Sequence, residues 1–105
     1  MVCWLPKEVG MFARVTVVEV PPGQFDKARQ LLNTAAERTR GLRGHRASYW
    51  LGDAKAGKLV TVALYNTQEE LRESADKVAA WKEELIPQAG GRLVSVDEYE
   101  VLIGG

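Results

Sequence analysis

From Phe12 to Val20 the chain is rich in Val, and its apolar and polar positions follow the two-residue period of a β-strand apart from the adjacent pairs Phe12-Ala13 and Val17-Val18. The alternation sets Ala13, Val15 and Val17 on one face and Arg14, Thr16 and Val18 on the other, so the second face is mixed. Pro21-Pro22-Gly23 ends the strand, because proline removes a ladder donor and glycine permits the turn. From Gln24 to Arg40 the period changes. Phe25, Ala28, Leu32, Ala35 and Ala36 recur at helical spacing, with Lys27, Gln30, Glu37 and Arg38 opposite, and Gly41 is placed to cap the helix. A second strand is predicted over His45 to Gly52, with Tyr49 and Trp50 on opposite faces, and a third over Lys58 to Tyr65. Asp53 to Gly57 between them is of hairpin length. Thr67-Gln68-Glu69-Glu70 has the capping-box pattern. It predicts a second helix with Leu71, Ser74, Ala75, Val78 and Leu85 along its apolar stripe, ending before Pro87. Gly90-Gly91 then turns the chain into a last alternating strand, Arg92 to Ile103.

The resulting order, β-α-β-β-α-β, is that of an α+β ferredoxin-like domain: a four-stranded antiparallel sheet with two helices on one face. Both helices are amphipathic, so both must cover the same side of the sheet. The third strand is apolar on both faces, through Leu59, Val60, Val62, Ala63 and Leu64, which calls for a cover on each. Trp50 or Tyr49, Val60 or Leu59 and part of the last strand would otherwise leave an apolar patch in water. A second copy of the chain is the simplest cover, and a homodimer is expected. Residues 1 to 10 read as an extension and residues 11 to 105 as the domain. If that extension is an arm across the dimer, Trp4 and Leu5 are buried on the partner.

Composition narrows the function. The chain has 105 residues, enough for one domain, and its Lys and Arg balance its Asp and Glu at 14 each. A neutral chain exerts no overall pull on nucleic acid or an anionic membrane, and neither is expected as a partner. Arg38, Arg40, Arg43 and Arg46 form a local basic excess, read either as a solvated helix end and loop or as a polyanion site. The one Cys, Cys3, excludes an internal disulfide. No run approaches the roughly 18 apolar residues of a membrane span. Pro6, Lys7 and Glu8 interrupt the amino-terminal stretch as a signal peptide, so a cytoplasmic location is the default.

With this order in place, two stretches resemble the antibiotic biosynthesis monooxygenase (ABM) family of the dimeric α+β barrel superfamily. Gly41-Leu42-Arg43-Gly44 is similar to the family's Gly-aromatic-x-Gly turn into the second strand, with Leu42 in place of the aromatic. Leu64-Tyr65-Asn66-Thr67-Gln68-Glu69-Glu70-Leu71 resembles its strand-end aromatic followed by Ser/Thr, an acidic residue and Leu opening the second helix. The resemblance runs from about Met11 to Val101. It implies a dimeric α+β barrel with a pocket between helices and sheet in each subunit, and oxygenase activity on a small aromatic or polyketide-like substrate without metal or haem. The haem-degrading branch uses an Asn on the first strand, a Trp at the end of the third and a His on the second helix. Here the first strand has no Asn, Tyr65 stands at the Trp position and the second helix has no His, so haem degradation is not expected.

The residues themselves offer few candidates. Tyr65, at a strand end, could orient or deprotonate a phenol, or be a core aromatic whose hydroxyl reaches water. Arg14 could hold an anionic or enolate oxygen with its fixed fork of donors, or pair with Glu100 or another acid at the dimer seam. His45, the one histidine, stands where a general base would be reasonable but also where an edge histidine is common. These three are the catalytic candidates; Trp81, Trp50 and Tyr49 are the candidates to line an aromatic pocket. No metal-ligand spacing occurs, and no cofactor is expected. The competing reading is a non-catalytic dimeric barrel that binds a small apolar ligand or serves as a stress or accessory protein.

Overall fold

A computed structural model describes residues 11–104. Strand β1 (Phe12–Glu19) leads through a 3₁₀ turn at Pro22–Gln24 into helix α1 (Phe25–Arg40). Strands β2 (His45–Asp53) and β3 (Lys58–Tyr65) follow, then helices α2 (Gln68–Glu73) and α3 (Ala75–Leu85), a 3₁₀ turn at Ile86–Ala89 and strand β4 (Arg92–Glu100). The sheet order is β2-β3-β1-β4 and every neighbouring pair is antiparallel. The fold is the α+β ferredoxin-like one that the periodicities predict.

The strand register decides what each face carries. Val18, Thr16 and Arg14 on β1 stand opposite Leu59, Thr61 and Ala63 on β3, and this side lies under the helices. Val15, Val17, Val60, Val62 and Leu64 point to the open side, where β2 adds Tyr49 and Leu51 and β4 adds Tyr99. The three residues from the outer strands are 57%, 52% and 56% exposed, so an apolar face stands uncovered in the single chain.

Under the helices the core falls into two clusters. One gathers Val18, Val20, Ala28, Leu59 and Ala89 beneath α1 and the second 3₁₀ turn. The other gathers Ala63, Tyr65 and Leu71, with Phe12 and Leu42 packed on it.

Three features depart from the sequence expectation. The second helix is broken at Ser74, where the hydroxyl donates to the Leu71 carbonyl at 2.7 Å and Arg14 donates to that same oxygen at 2.7 Å. A carbonyl taken by two side chains is a poor continuation point for an i→i+4 ladder, and the axis is interrupted there. The last strand ends at Glu100, not Ile103, because its partner β1 begins at Phe12, opposite Glu100. A register shift between Val17 and Val18 leaves Val94 as the extra residue in β4, so Leu93 and Val96 both turn to the helix side. The expectations for residues 1–10, including Cys3 and the burial of Trp4 and Leu5, lie outside the described residues.

The Gly41-to-Gly44 turn is built by its contacts with α2. Thr67 caps that helix by accepting from the Glu70 backbone N–H at 3.1 Å, which brings the Glu70 side chain against the turn. Gly44 has φ +79°, and a Cβ there would stand 2.3 Å from the Glu70 carboxyl group. Only glycine satisfies both conditions. The basic residues nearby are held by neighbours: Arg38 forks onto Glu84 at 2.8 and 3.0 Å, Arg43 reaches Glu73 at 3.2 Å and Arg46 reaches Asn66 at 3.3 Å. This favours the solvated helix end and loop over a polyanion site. Among the described residues no helix is long and apolar enough to cross a membrane.

Candidate functional site

Between the sheet and the helices, touching both core clusters, is a cavity of about 110 Å³. Its walls are mainly apolar, with Leu31, Leu32 and Leu85 from the helices and Trp50 and Trp81 from either side. Its polar groups come from the sheet and from α3: Arg14 and Thr16 on β1, Thr61 and Tyr65 on β3, and Lys82. A cavity of ~150 Å³ accepts benzene, so this one is on the scale of a single small ring at most. A multi-ring substrate does not fit without the helices moving.

Arg14 is the centre of the polar wall. Alternation along β1 turns it under the helices, where it is 4% exposed. One terminal nitrogen donates to the Tyr65 hydroxyl at 3.3 Å; the other donates to the Leu71 carbonyl at 2.7 Å and the Ser74 hydroxyl at 3.0 Å. The guanidinium carbon also stands 5.4 Å from the Tyr65 ring centroid, within cation–π range. All three acceptors are neutral. The expected alternative, a pair with Glu100, is not formed: Glu100 faces Phe12, and Arg14 faces Glu98 across the β1–β4 ladder.

Tyr65 is fully buried and lines the cavity beside Arg14. His45 sits opposite it in the β2–β3 register and meets its ring edge-on, the centroids 5.8 Å apart at 75°. Its Nε2 lies 2.6 Å from the Ser48 hydroxyl. Burial pushes the imidazole below its usual pKa, against a smaller opposing effect from a backbone hydrogen bond at Ala47. His45 is not on the cavity wall, and its contact with the site runs through Tyr65.

The aromatic candidates separate by face. Trp50 and Trp81 stand on the cavity wall, Trp81 with the Arg38 guanidinium 5.9 Å from its ring. Tyr49, expected to line the same pocket, points to the open side of the sheet, because neighbours along a strand must face opposite ways.

Lys82 was missed as a site residue because helical lysines are ordinarily solvated. It reaches inward and donates from Nζ to the Thr16 hydroxyl at 2.9 Å. Burial, and then the positive charge of Arg14, bring its pKa down to about 8. A signal was present in the sequence: residue 82 follows Val78 by four and precedes Leu85 by three, which places a lysine on the apolar stripe.

The sequence matches no protein-family model and no curated protein. Solved structures do match. Rv0793 from Mycobacterium tuberculosis superposes with a TM-score of 0.70 at 21% identity, covering 90% of this chain and 97% of that one. A candidate antibiotic biosynthesis monooxygenase from Bordetella bronchiseptica gives 0.68 at 18%, covering 90% and 99%. Another from Caulobacter crescentus gives 0.66 at 18%, covering 92% and 94%. The chain has the ABM-type fold. At these identities the likeness shows the ABM-type architecture, and the chemistry rests on the residues of the cavity.

Proposed function

We propose that the chain forms a homodimer of ABM type that oxygenates a compact, electron-rich aromatic compound without metal or haem. The observation that carries this reading is the apolar cavity with Arg14 and Tyr65 in its wall. A single-ring hydroquinone matches its volume better than a polyketide-like molecule does. Loss of a phenolic proton makes the ring an electron donor to O₂. Electron transfer and recombination form a carbon–oxygen bond at a ring carbon, giving a hydroperoxide. Cleavage of the O–O bond with loss of water leaves one oxygen on the ring. One hydroquinone and one O₂ thus yield one hydroxyquinone and one water, the substrate supplying all four electrons. Arg14 holds the phenolate oxygen and Tyr65 orients it, while the apolar walls keep water from the hydroperoxide.

The open side of the sheet supports self-association. Two antiparallel sheets packed face to face bury such a surface, and a closed two-fold pair covers both copies at once. In solution the chain then has the mass of two copies in light scattering at micromolar concentration.

The test is oxygen uptake with a panel of single-ring hydroquinones, using isotopically labelled O₂. The expected result is one labelled atom in the product and one in water, with the rate lowered in Tyr65→Phe. A panel that binds without uptake leaves the non-catalytic reading, a dimeric barrel that carries a small apolar ligand. That reading draws on the Tyr65 hydroxyl already being engaged by Arg14.

A further inference from the structure

Arg14, buried, and Lys82, half-buried, stand side by side under the helices, and among the described residues neither has an acid within 4.0 Å. Arg14 and Thr16 share one face of β1, and Lys82 is hydrogen-bonded to Thr16. Among the described residues the ion pairs are Arg38 with Glu84, Arg43 with Glu70 and Glu73, and Arg92 with Glu19. None of these involves Arg14 or Lys82. The same two cations and Ile86 also wall a second, wider groove of about 550 Å³ between α3 and β4, so they stand at the boundary of the inner cavity and the outside. The groove brings acids to its rim, Glu98 on β4 and Asp76 and Glu83 on α3, all exposed and none within 4.0 Å of either cation. Burying a charge without a partner is unfavourable, and an anionic ligand would supply the missing counter-ion.

From this arrangement we propose that Arg14 and Lys82 form an anion-recognition site at the boundary of the cavity, selecting a one-ring ligand that carries a negatively charged oxygen. The inference rests on the ligand pocket proposed above and names the class of molecule it takes. The ring occupies the apolar cell between Trp50 and Trp81, and a carboxylate or ionised phenol oxygen accepts from the Lys82 ammonium and the Arg14 guanidinium. Lys82 has three donors and spends one on Thr16, so it can take up the anion without losing that bond.

Isothermal titration at pH 7 with benzoate, phenol, benzamide and toluene tests this. Benzoate is expected to bind about 10- to 100-fold more tightly than benzamide, the span of one or two charge-assisted hydrogen bonds. Lys82→Met lowers that preference several-fold while toluene still binds, whereas Lys82→Arg restores it. Raising the pH through about 8, where Lys82 discharges, weakens benzoate and leaves toluene unaffected. The other charged groups facing the ammonium are Arg14 on β1 and the acids Asp76, Glu83 and Glu98. Phenol is neutral at pH 7 and ionises only at a pH where Lys82 has already discharged, so it is expected to lack the preference that benzoate shows. Toluene binding equal to or tighter than benzoate overturns the anion site and leaves the pocket standing. Binding of none of the four overturns both. Should Lys82→Met fail to fold, Lys82→Gln carries the same comparison.

Discussion

Replacing Lys82 by Met tests the buried charge without any ligand. In the unfolded chain this amine has its ordinary pKa of 10.5, and in the folded chain about 8. The unfolded state therefore binds more protons between those values, and stability must rise with pH across that window. Below pH 8 both states are charged and the folded protein bears the whole penalty; above 10.5 it bears none. At about 1.4 kcal/mol per pH unit the full difference is at most about 3 kcal/mol. The ammonium is only half-buried, so water screens part of it, and about 1–2 kcal/mol is the reasonable expectation. Met keeps the length and apolar stem of the side chain while removing the charge. The loss of the Thr16 hydrogen bond offsets some of the gain, but by the same amount at every pH.

The informative quantity is thus the difference in stability between Lys82→Met and the parent chain as a function of pH. Urea unfolding followed by the fluorescence of Trp50 and Trp81, both on the cavity wall, measures it. The variant should lead by about 1–2 kcal/mol more at pH 7 than at pH 10.5, with the change confined to the interval above pH 8. Every other group is common to the two proteins and cancels in the difference. A difference that does not vary with pH would show Lys82 to be an ordinary solvated amine and would refute a charged cavity wall.

Four further outcomes follow from the geometry. Gly44→Ala should cost about 1–3 kcal/mol in thermal melts, since it forces a side chain at φ +79° against Glu70. Gly41→Ala, whose added carbon meets only the Arg38 carbonyl at 3.6 Å, should stay within about 1 kcal/mol of the parent. Tyr65→Phe removes a hydroxyl bonded to Arg14 at 3.3 Å, and so should change stability by less than about 1.5 kcal/mol while reducing oxygen uptake. Leu51→Glu on the open side should halve the mass seen by light scattering and leave the far-ultraviolet circular dichroism intact; an unchanged mass counts against the face-to-face dimer.

Much of the fold was legible because its signals are local. The strand alternations, the Thr67 cap and the proline and glycine stops each depend on a few neighbouring residues, and the structure places the elements where those signals put them. The break at Ser74 was not legible, since it depends on Arg14, 60 residues away in the chain. The end of β4 was misplaced for a similar reason: alternation continues to Ile103, but a strand lasts only as long as its partner. The site was half legible. Arg14 and Tyr65 stand out by residue type at a strand position, whereas Lys82 shows only as a lysine in a slot where the helical stripe calls for an apolar residue.

Arg14 is a fastener as well as part of the cavity wall. Its two bonds to Leu71 and Ser74 pin the break between α2 and α3 to the central strand, and this break sets where α3 begins and so where Lys82 and Trp81 stand. The same strand turns Val15 and Val17 toward the open face, so a partner pressing on that face supports the backbone that holds Arg14. Loss of function on replacing Arg14 would therefore mix a missing charge with a displaced helix. Lys82 holds only Thr16 and pins no backbone, so a change there alters charge with little change of frame. That asymmetry makes Lys82 the residue on which the chemistry of the cavity can be separated from its construction.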